Sequence, residues 1–405
     1  MKSLVTRVGT AVGFVLLLAA MTAPSALANY VYWPNTGGLT IGRAPLTGGT
    51  FDNSFLTTAP DLGDSPNAVA VDAHHIYWAH GDDFNGAIGR ANLDGTGVEP
   101  NFVPHSAGVI SPGGVAVSES HVYWTSKTAD NIGRANLDGS QPNSAFIAET
   151  HSTCGIVAQG NFLYYTVDAN GGPAPAIARA PIGGGAPDDT FIPVPGGKDC
   201  GVAADPSHLY WTNSTSSGIV RSDLNGGQVD NGFITGIVAY GVAVTPQYVF
   251  WASGFTDHSV GRAKIDGTGA EEFFIHPGTG TDSTPYVLAA SPSSQFTVGT
   301  AVRNKKNGTA KLSVTVPGPG ALVADAASKG TQAVASKKKS STVRRVQKTA
   351  GGAGTLTLKI RANGKALKAL RKKGKTKVKV GITFTPQGVA GVPALTTTKL
   401  VLKRR

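Results

Sequence analysis

Beyond residue 28, the sequence contains no hydrophobic run long enough to cross a membrane. It also lacks a metal-spaced histidine pair and the Gly-x-Ser-x-Gly motif of many hydrolases. Charged residues make up only 15% of the 405 residues, and only two cysteines are present. These absences argue against an integral membrane protein and against common hydrolase sites, so the repeated features of the sequence are the more informative ones.

Residues 1–28 have the composition of a secretory signal peptide. Lys2 and Arg7 form a basic start, Ala11–Ala20 is apolar, and Ala26–Ala28 makes a small-x-small cleavage site. A membrane anchor is the alternative, but the apolar stretch is short for one. We therefore expect export and cleavage near Ala28, with the mature protein secreted or associated with the cell envelope.

A unit made of a Tyr-Trp strand and a later Ile-Gly-Arg-Ala segment recurs six times. The clearest copies are His75–Trp78 with Ala87–Gly95, and His121–Trp124 with Asn131–Gly139. The aromatic residues that close the first segments are Trp33, Trp78, Trp124, Tyr165, Trp211 and Trp251. Their spacing of about 40–50 residues is typical of a propeller blade with four short strands.

The two ends of the repeat region predict how the ring closes. The first copy begins at the second strand of its unit, Tyr30–Trp33, while an unmatched inner strand, Tyr286–Ala289, follows the last copy. If this strand completes the first blade, the free sheet edge disappears. The sequence therefore predicts an all-β fold in which residues 29–291 form a six-bladed β-propeller.

The paired signals, Tyr-Trp and Ile-x-Arg-x-x-Leu-Asp-Gly, resemble those of the YWTD propeller of the low-density lipoprotein receptor family over residues 30–290. That family often has Asp at the fourth position of its first motif, where this sequence has His80, Ser126, Asn213 and Ser253. The resemblance implies the fold. It implies no ligand-binding residues, because the receptor's binding residues have no matching motif here.

Each unit also carries one arginine at a fixed position: Arg43, Arg90, Arg134, Arg179, Arg221 and Arg262. A ring of arginines suggests anion binding, but a residue needed once per blade usually solves a packing problem. We expect these side chains to bond to a carbonyl or an acid of a neighbouring blade.

The loops between the second and third strands are long and irregular, and we expect them to share one face with the linkers between blades. Variable loops on a rigid scaffold often carry binding sites. The candidate ligand-binding residues are Asp82, Asp83, Asp130, Asp168, Tyr240, Asp257 and His258. Binding of a protein or glycan competes with a plainer interpretation, in which these are ordinary solvated loop charges.

The two cysteines occupy the same position in consecutive units, directly before Gly155 and Gly201. In an exported chain this arrangement favours a disulfide between Cys154 and Cys200. Two free thiols or a soft-metal site are the alternatives, because adjacent blades can hold the two sulfurs beyond bonding reach.

The positions that begin the inner strands are poor in catalytic groups: Asn67, Gly113, Cys154, Cys200, Tyr240 and Pro285. Propeller lactonases and lyases need a metal or a histidine-based acid–base site at the channel mouth. We therefore expect a protein that is not an enzyme and needs no cofactor. A lyase or lactonase acting at the channel mouth is the alternative.

The last quarter of the chain is strongly basic. Residues 29–292 hold 9 Lys and Arg against 24 Asp and Glu, whereas residues 293–405 hold 25 Lys and Arg against one acid, Asp325. Alternating apolar residues predict a small immunoglobulin-like β-sandwich in residues 292–405, with one or two helical turns within Gly364–Gly374. In pattern and composition it resembles the Lys-rich modules that end many secreted actinobacterial proteins.

This charge predicts an anionic partner. Nucleic acid is disfavoured, because the region has only Phe296 and Phe384 for base stacking and the chain is expected to be exported. Anionic cell-wall polymer or a membrane surface fits better. The densest run is Arg371, Lys372, Lys373, Lys375 and Lys377. Docking on the acidic propeller, or a surface that is basic only for solubility, remains open.

Overall fold

The computed structural model describes residues 30–58, 65–72, 74–149, 151–168, 174–194, 200–213, 217–253, 258–276, 288–290, 297–304, 306–316, 320–326, 342–350, 354–386 and 394–404. The predicted signal peptide and Asp257 lie outside these residues. Within the described residues, no helix combines the length and the apolar character that crossing a membrane requires.

The first three blades follow one another along the chain, each strand antiparallel to its neighbour. Blade 1 begins with β1 (Tyr30–Asn35), β2 (Thr40–Pro45) and β3 (Asp52–Thr57). Blade 2 contains β4 (Pro66–Val71), β5 (His75–His80), β6 (Ala87–Asn92) and β7 (Glu99–Val103). A short 3₁₀ helix (His105–Ala107) leads to blade 3, with β8 (Pro112–Val117), β9 (His121–Ser126), β10 (Asn131–Asn136) and β11 (Asn143–Ala148).

The other three blades repeat this plan. Blade 4 contains β12 (Thr153–Gln159), β13 (Phe162–Val167), β14 (Ala176–Pro181) and β15 (Asp188–Pro193). Blade 5 contains β16 (Val202–Ala204), β17 (His208–Asn213), β18 (Gly218–Asp223) and β19 (Asp230–Thr235). Blade 6 contains β20 (Gly241–Val244), β21 (Tyr248–Ala252), β22 (Val260–Lys264) and β23 (Glu271–Ile275).

The ring closes as the sequence predicts. Strand β24 (Ala289–Ala290) pairs antiparallel with β1, through Val31 opposite Ala290 and Tyr32 opposite Ala289. It supplies the inner strand that blade 1 otherwise lacks. The paired residues extend one position beyond the predicted segment Tyr286–Ala289, of which residues 286 and 287 lie outside the described part.

The glycine of the Ile-Gly-Arg motif makes room for tryptophan. In blade 2, Trp78 lies opposite Gly89, and a Cβ atom at residue 89 would stand 2.1 Å from the indole. The same close approach recurs at Gly42, Gly133 and Gly261. Blade 4 instead pairs Tyr165 with Ala178, and blade 5 pairs Trp211 with Val220. These two blades therefore lack the glycine that makes room for the aromatic ring in the other four.

Three of the six arginines donate to a carbonyl of a neighbouring blade, which confirms the structural interpretation for these three. Arg43 donates to the carbonyl of Leu93 at 3.4 Å, and Arg90 donates to that of Leu137 at 2.9 Å. Arg262 of blade 6 donates to the carbonyl of Leu46 in blade 1 at 3.0 Å, across the closure. Each guanidinium also stacks on a phenylalanine of its own blade, with 3.6–4.2 Å between the central carbon and the ring centroid.

The basic region folds as two antiparallel sheets around one core. The strands are β25 (Thr297–Asn304), β26 (Thr309–Val316), β27 (Gly320–Ala326), β28 (Val346–Ala350), β29 (Gly354–Arg361), β30 (Lys375–Pro386) and β31 (Ala394–Lys403). One sheet has the order β25-β26-β29 and the other β28-β27-β30-β31. Leu312 and Leu358 from the first sheet meet Ile382 and Phe384 from the second. The predicted sandwich is therefore present, and kinship with immunoglobulin domains stays a prediction.

The helix of this region is longer than the one or two turns expected. Helix α1 covers Gly364–Lys373, which is close to three turns. It buries Ala366 and Leu370 and continues through three basic residues to Gly374, whose positive φ of 65° ends it. The apolar pattern underestimated its length because the last turn is charged and solvated.

Closure of the ring yields a stability prediction. Leu288 is 5% exposed and packs in a core shared by blades 6 and 1. We expect Leu288→Ala to lower the free energy of unfolding by about 2–4 kcal/mol. Tryptophan fluorescence during urea unfolding reports the propeller alone, since all five tryptophans lie in it. Val229→Ala, at a 44% exposed side chain, is the control, and a loss for Leu288→Ala as small as that of this control would contradict the closure.

Candidate functional site

The loops between second and third strands share one face with the linkers between blades, as predicted. The amide of Ser111, in the linker to blade 3, donates to the carbonyl of Asp82 at 3.0 Å. The amide of Glu149, in the linker that leaves blade 3, likewise donates to the carbonyl of Asp130 at 3.0 Å. In blade 4 the direction is reversed, and the amide of the loop residue Asp168 donates to the carbonyl of Ser152 in the linker at 3.0 Å. These bonds hold the irregular segments together on one face, which we call the loop face.

The loop of blade 2 presents an exposed aromatic ring between acids. Phe84 is 86% exposed, and its amide donates to the Asp82 carboxylate at 2.8 Å. The Asp83 carboxylate accepts a 2.6 Å hydrogen bond from the hydroxyl of Thr128, in the loop of blade 3. This loop is therefore braced by its own carboxylate and by its neighbour, and it holds a large apolar side chain in solvent.

The other predicted ligand-binding residues are spread around the loop face. Asp130 is exposed and has a positive φ of 46°, whereas Asp168, Tyr240 and His258 are half-buried. Of the predicted residues that the structure describes, Asp82 and Asp83 share one loop and Asp130 lies in the loop of the next blade. A joint role in binding stays a prediction.

The predicted disulfide is present beside a small cavity on this face. Cys154 and Cys200 are bonded, with their Cα atoms 5.1 Å apart, where the inner strands of blades 4 and 5 begin. The cavity measures about 190 Å³ and is lined by residues that include Lys127, Asp168 and Trp211. Val220 stands opposite Trp211 where four other blades have glycine, and the Trp211 side chain borders this cavity.

Lys127 is the ionisable group that stands out in the cavity. Burial lowers its pKa from the ordinary value of a lysine. A lysine with a lowered pKa in a cleft is a recognised mark of functional sites, although structural burial produces the same shift. The sequence offered no signal for it, since Lys127 belongs to an ordinary polar loop.

Three ligand-type side chains that sequence reasoning missed meet between blades 3 and 4. Glu149 and His151 lie in the linker from blade 3, and Asp189 lies in β15. One ligand atom from each residue lies within 4.8 Å of the others. The hydroxyl of Tyr165 donates to Oε1 of Glu149. The one available signal was Tyr165 itself, the only residue of its series that is not tryptophan.

Burial dominates the electrostatics of this cluster. It raises the pKa of Glu149 to about 8, the nearby Asp189 carboxylate adds to the shift, and the hydrogen bond from Tyr165 opposes it. Burial also raises the pKa of Tyr165, so its hydroxyl stays protonated and remains a donor. Near neutral pH, the metal-free cluster therefore favours a protonated Glu149.

Comparisons with known proteins agree with the fold. No protein-family model matches the sequence. A segment of 115 residues is 35% identical to Nidogen-2 of Mus musculus and covers 27% of this chain and 8% of that protein. A solved nidogen–laminin complex contains a similar chain, with a TM-score of 0.51 and 20% identity over 65% of this chain and 98% of that one.

A streptogramin B lyase structure is also similar, with a TM-score of 0.44 and 17% identity over 64% of this chain and 83% of that chain. The described residues between 30 and 290 form a six-bladed β-propeller, and the chain of the nidogen–laminin complex shares this fold. The chain spans about 8% of the length of Nidogen-2. Function therefore has to be argued from the residues of the site.

The raised pKa of Glu149 predicts a pH dependence in metal-free protein. Below pH 4.5 both states hold the proton, and between 4.5 and about 8 only the folded state keeps it. Stability from this residue is therefore lost as pH rises through that window, by on the order of a few kcal/mol. With chelator present, Glu149→Gln should flatten that part of the decline in urea unfolding. Glu271→Gln, at an exposed carboxylate, should leave this decline in stability unchanged. Identical pH profiles for Glu149→Gln and wild type would contradict the raised pKa of Glu149.

Proposed function

We propose that this protein is an exported, non-enzymatic adaptor. Its propeller binds a protein or glycan through the loop face, and its basic sandwich holds it on the anionic cell envelope. The observation that carries the proposal is the basic surface of β30 and β31. Lys375 lies opposite Lys403, and Lys379 lies opposite Lys399.

Stability does not explain this surface. Like charges directly opposite each other on neighbouring strands are destabilising. All four of these lysines are exposed, as are Arg371, Lys372, Lys373 and Lys377. The three residues at the end of α1 complement the helix dipole, but the cross-strand lysine pairs have no such benefit. An anionic surface would remove the repulsion, so the arrangement supports polymer or lipid binding.

The propeller side of the proposal rests on Phe84. A phenylalanine held in solvent by a braced loop costs hydration free energy that a partner would recover. Asp82 and Asp83 beside it would add complementarity to a basic partner. The solved complex with laminin provides a precedent in which a similar chain occurs with a protein partner, and we favour a protein over a glycan.

The alternative function is a propeller lyase or lactonase. The observation that favours it is Lys127, half-buried beside the cavity that Asp168 also lines. Turnover of a lactone by the wild-type protein that disappears in Lys127→Met, with folding intact, would decide for an enzyme.

The envelope proposal predicts salt-sensitive binding of the full-length protein to purified anionic cell wall. Replacing Arg371, Lys372, Lys373, Lys375 and Lys377 with Glu should weaken binding at least about tenfold, since each basic residue near an anionic surface contributes about 1 kcal/mol. Raising salt should weaken wild-type binding as the Debye length falls below about 8 Å.

A matched control reverses five exposed basic residues elsewhere on the sandwich, none of which lies opposite a basic residue in the strand registers: Lys306, Arg344, Arg345, Lys348 and Arg361. This variant should retain most of the binding. Equal losses in both variants, or retention on the wall that ignores salt, would contradict a specific basic surface.

The loop face predicts that Phe84→Ser removes partner binding without changing stability. Wild-type protein immobilised by its C-terminal region should capture a defined protein from an extract of envelope and secreted proteins. The Phe84→Ser variant should not capture this protein, because the exposed ring supplies the apolar contact. Phe273→Ser, at a 59% exposed ring on an outer strand, should keep it. Equal capture by both variants, or no specific capture by wild type, would count against the proposed face.

A further inference from the structure

Blade 4 departs from the repeat at several positions that lie close together. Its central aromatic residue is Tyr165, and the residue opposite is Ala178 rather than glycine. In blade 1, the indole of Trp33 donates to Oδ1 of Asn53, the second residue of its outer strand, at 3.0 Å. In blade 4 the second residue of the outer strand is Asp189, so a carboxylate replaces the amide and a phenol replaces the indole.

The smaller phenol leaves space that a residue from the preceding linker occupies. Glu149 directly follows the outer strand of blade 3, where the other blades have Thr58, Pro104, Val194, Gly236 and His276. Its side chain reaches the Tyr165 hydroxyl and is only 8% exposed. His151, two residues on, brings Nδ1 to 3.8 Å from Oδ2 of Asp189. Three potential metal ligands thus converge where the other blades have at most one carboxylate.

Two buried oxygens of this cluster have no hydrogen-bond partner. Oε1 of Glu149 accepts the Tyr165 hydroxyl, but Oε2 is buried without a partner. Oδ1 of Asp189 is likewise buried without one. A buried, unpaired carboxylate oxygen costs a large part of its hydration free energy. Either a proton shared by Glu149 and Asp189 or a bound cation would satisfy both oxygens, and the imidazole of His151 beside them supplies a further ligand for a cation.

We propose that Glu149, His151 and Asp189 bind a divalent transition-metal ion between blades 3 and 4. The ligands would be Oε2 of Glu149, an oxygen of Asp189 and an imidazole nitrogen of His151. Tyr165 acts as a positioning residue: its hydroxyl occupies Oε1 and so directs Oε2 towards the metal.

The donor set indicates the class of metal. One imidazole nitrogen and two carboxylate oxygens suit Zn²⁺ and related ions, whereas Ca²⁺ prefers six to eight oxygen ligands. Three protein ligands leave at least one coordination position for water or another ligand. His151 and Asp189 are 11% and 24% exposed at their side chains, so an ion can reach the site from solvent.

The position suggests what the ion does for the fold. Glu149 and His151 belong to the linker that leaves blade 3, and Asp189 belongs to the outer strand of blade 4. An ion held by all three ties the linker to the outer edge of the next blade. In blade 1 the Trp33–Asn53 hydrogen bond joins the second strand to the outer strand of the same blade. The ion would add a connection to the preceding linker, which that bond does not make.

The test uses untagged, full-length protein stripped with chelator and dialysed. Zn²⁺ titration by calorimetry should show one ion bound per chain, and thermal unfolding followed by tryptophan fluorescence should shift upwards on Zn²⁺ addition. Glu149→Gln and Asp189→Asn keep the side-chain shapes and should each weaken Zn²⁺ binding by more than about tenfold. Tyr165→Phe should weaken it by about 10–100-fold, as removal of an outer hydrogen-bond partner does.

Asp188→Asn is the matched control. Asp188 precedes Asp189 on the same strand, is 46% exposed, and lies 3.7 Å from Arg179. This variant removes the same charge and should leave Zn²⁺ affinity unchanged. Absence of Zn²⁺ binding by the wild-type protein would overturn the proposal, as would Glu149→Gln and Asp189→Asn variants that bind Zn²⁺ like wild type. A visible absorption band of bound Co²⁺ that His151→Gln abolishes would support it independently of stability.

Discussion

The propeller depends on one contact that is repeated around the ring, the arginine of the third strand. Its guanidinium lies over the ring of a phenylalanine of its own blade and, in three described cases, donates to a backbone carbonyl of the next blade. The stacking combines cation–π attraction with burial of the arginine stem. Its ion pairs, such as Arg90 with Glu99 at 2.9 Å, involve exposed acids and contribute little. The stack therefore fixes the guanidinium within its own blade, and the carbonyl bond joins neighbouring blades at these three junctions, including the closure.

Departures from the repeat coincide with the chemically unusual places. Where Val220 replaces glycine, Trp211 borders a cavity beside the disulfide and Lys127. Where Tyr165 replaces tryptophan, three ligand-type side chains fill the space. In blade 4, the Tyr164 hydroxyl donates to the carbonyl of Leu224 in blade 5 at 3.1 Å, a bond comparable to those of the arginines. A repeated scaffold thus tolerates local exceptions because each blade contacts only its neighbours.

Much of the fold was accessible from sequence because a repeat multiplies every signal. Six copies of the Tyr-Trp and arginine segments revealed the blades, and the unmatched strand near Ala289 revealed the closure. Cys154 and Cys200 were paired correctly because equivalent positions in adjacent blades are close in space. The Glu149–His151–Asp189 cluster was not accessible, since its members come from a linker and a strand about 40 residues apart. Their meeting depends on the smaller Tyr165 ring, which only packing reveals.

The uneven charge of the chain separates two proposed binding functions, with acidic loops on the propeller and paired lysines on the sandwich. Hydrogen–deuterium exchange of the full-length protein, with and without purified anionic wall polymer, tests this division most directly. We expect polymer to protect α1, β30 and β31 while the loop at 81–86 exchanges as in free protein. Protection of the loop at 81–86 by the polymer, or no change in β30 and β31, would contradict the adaptor.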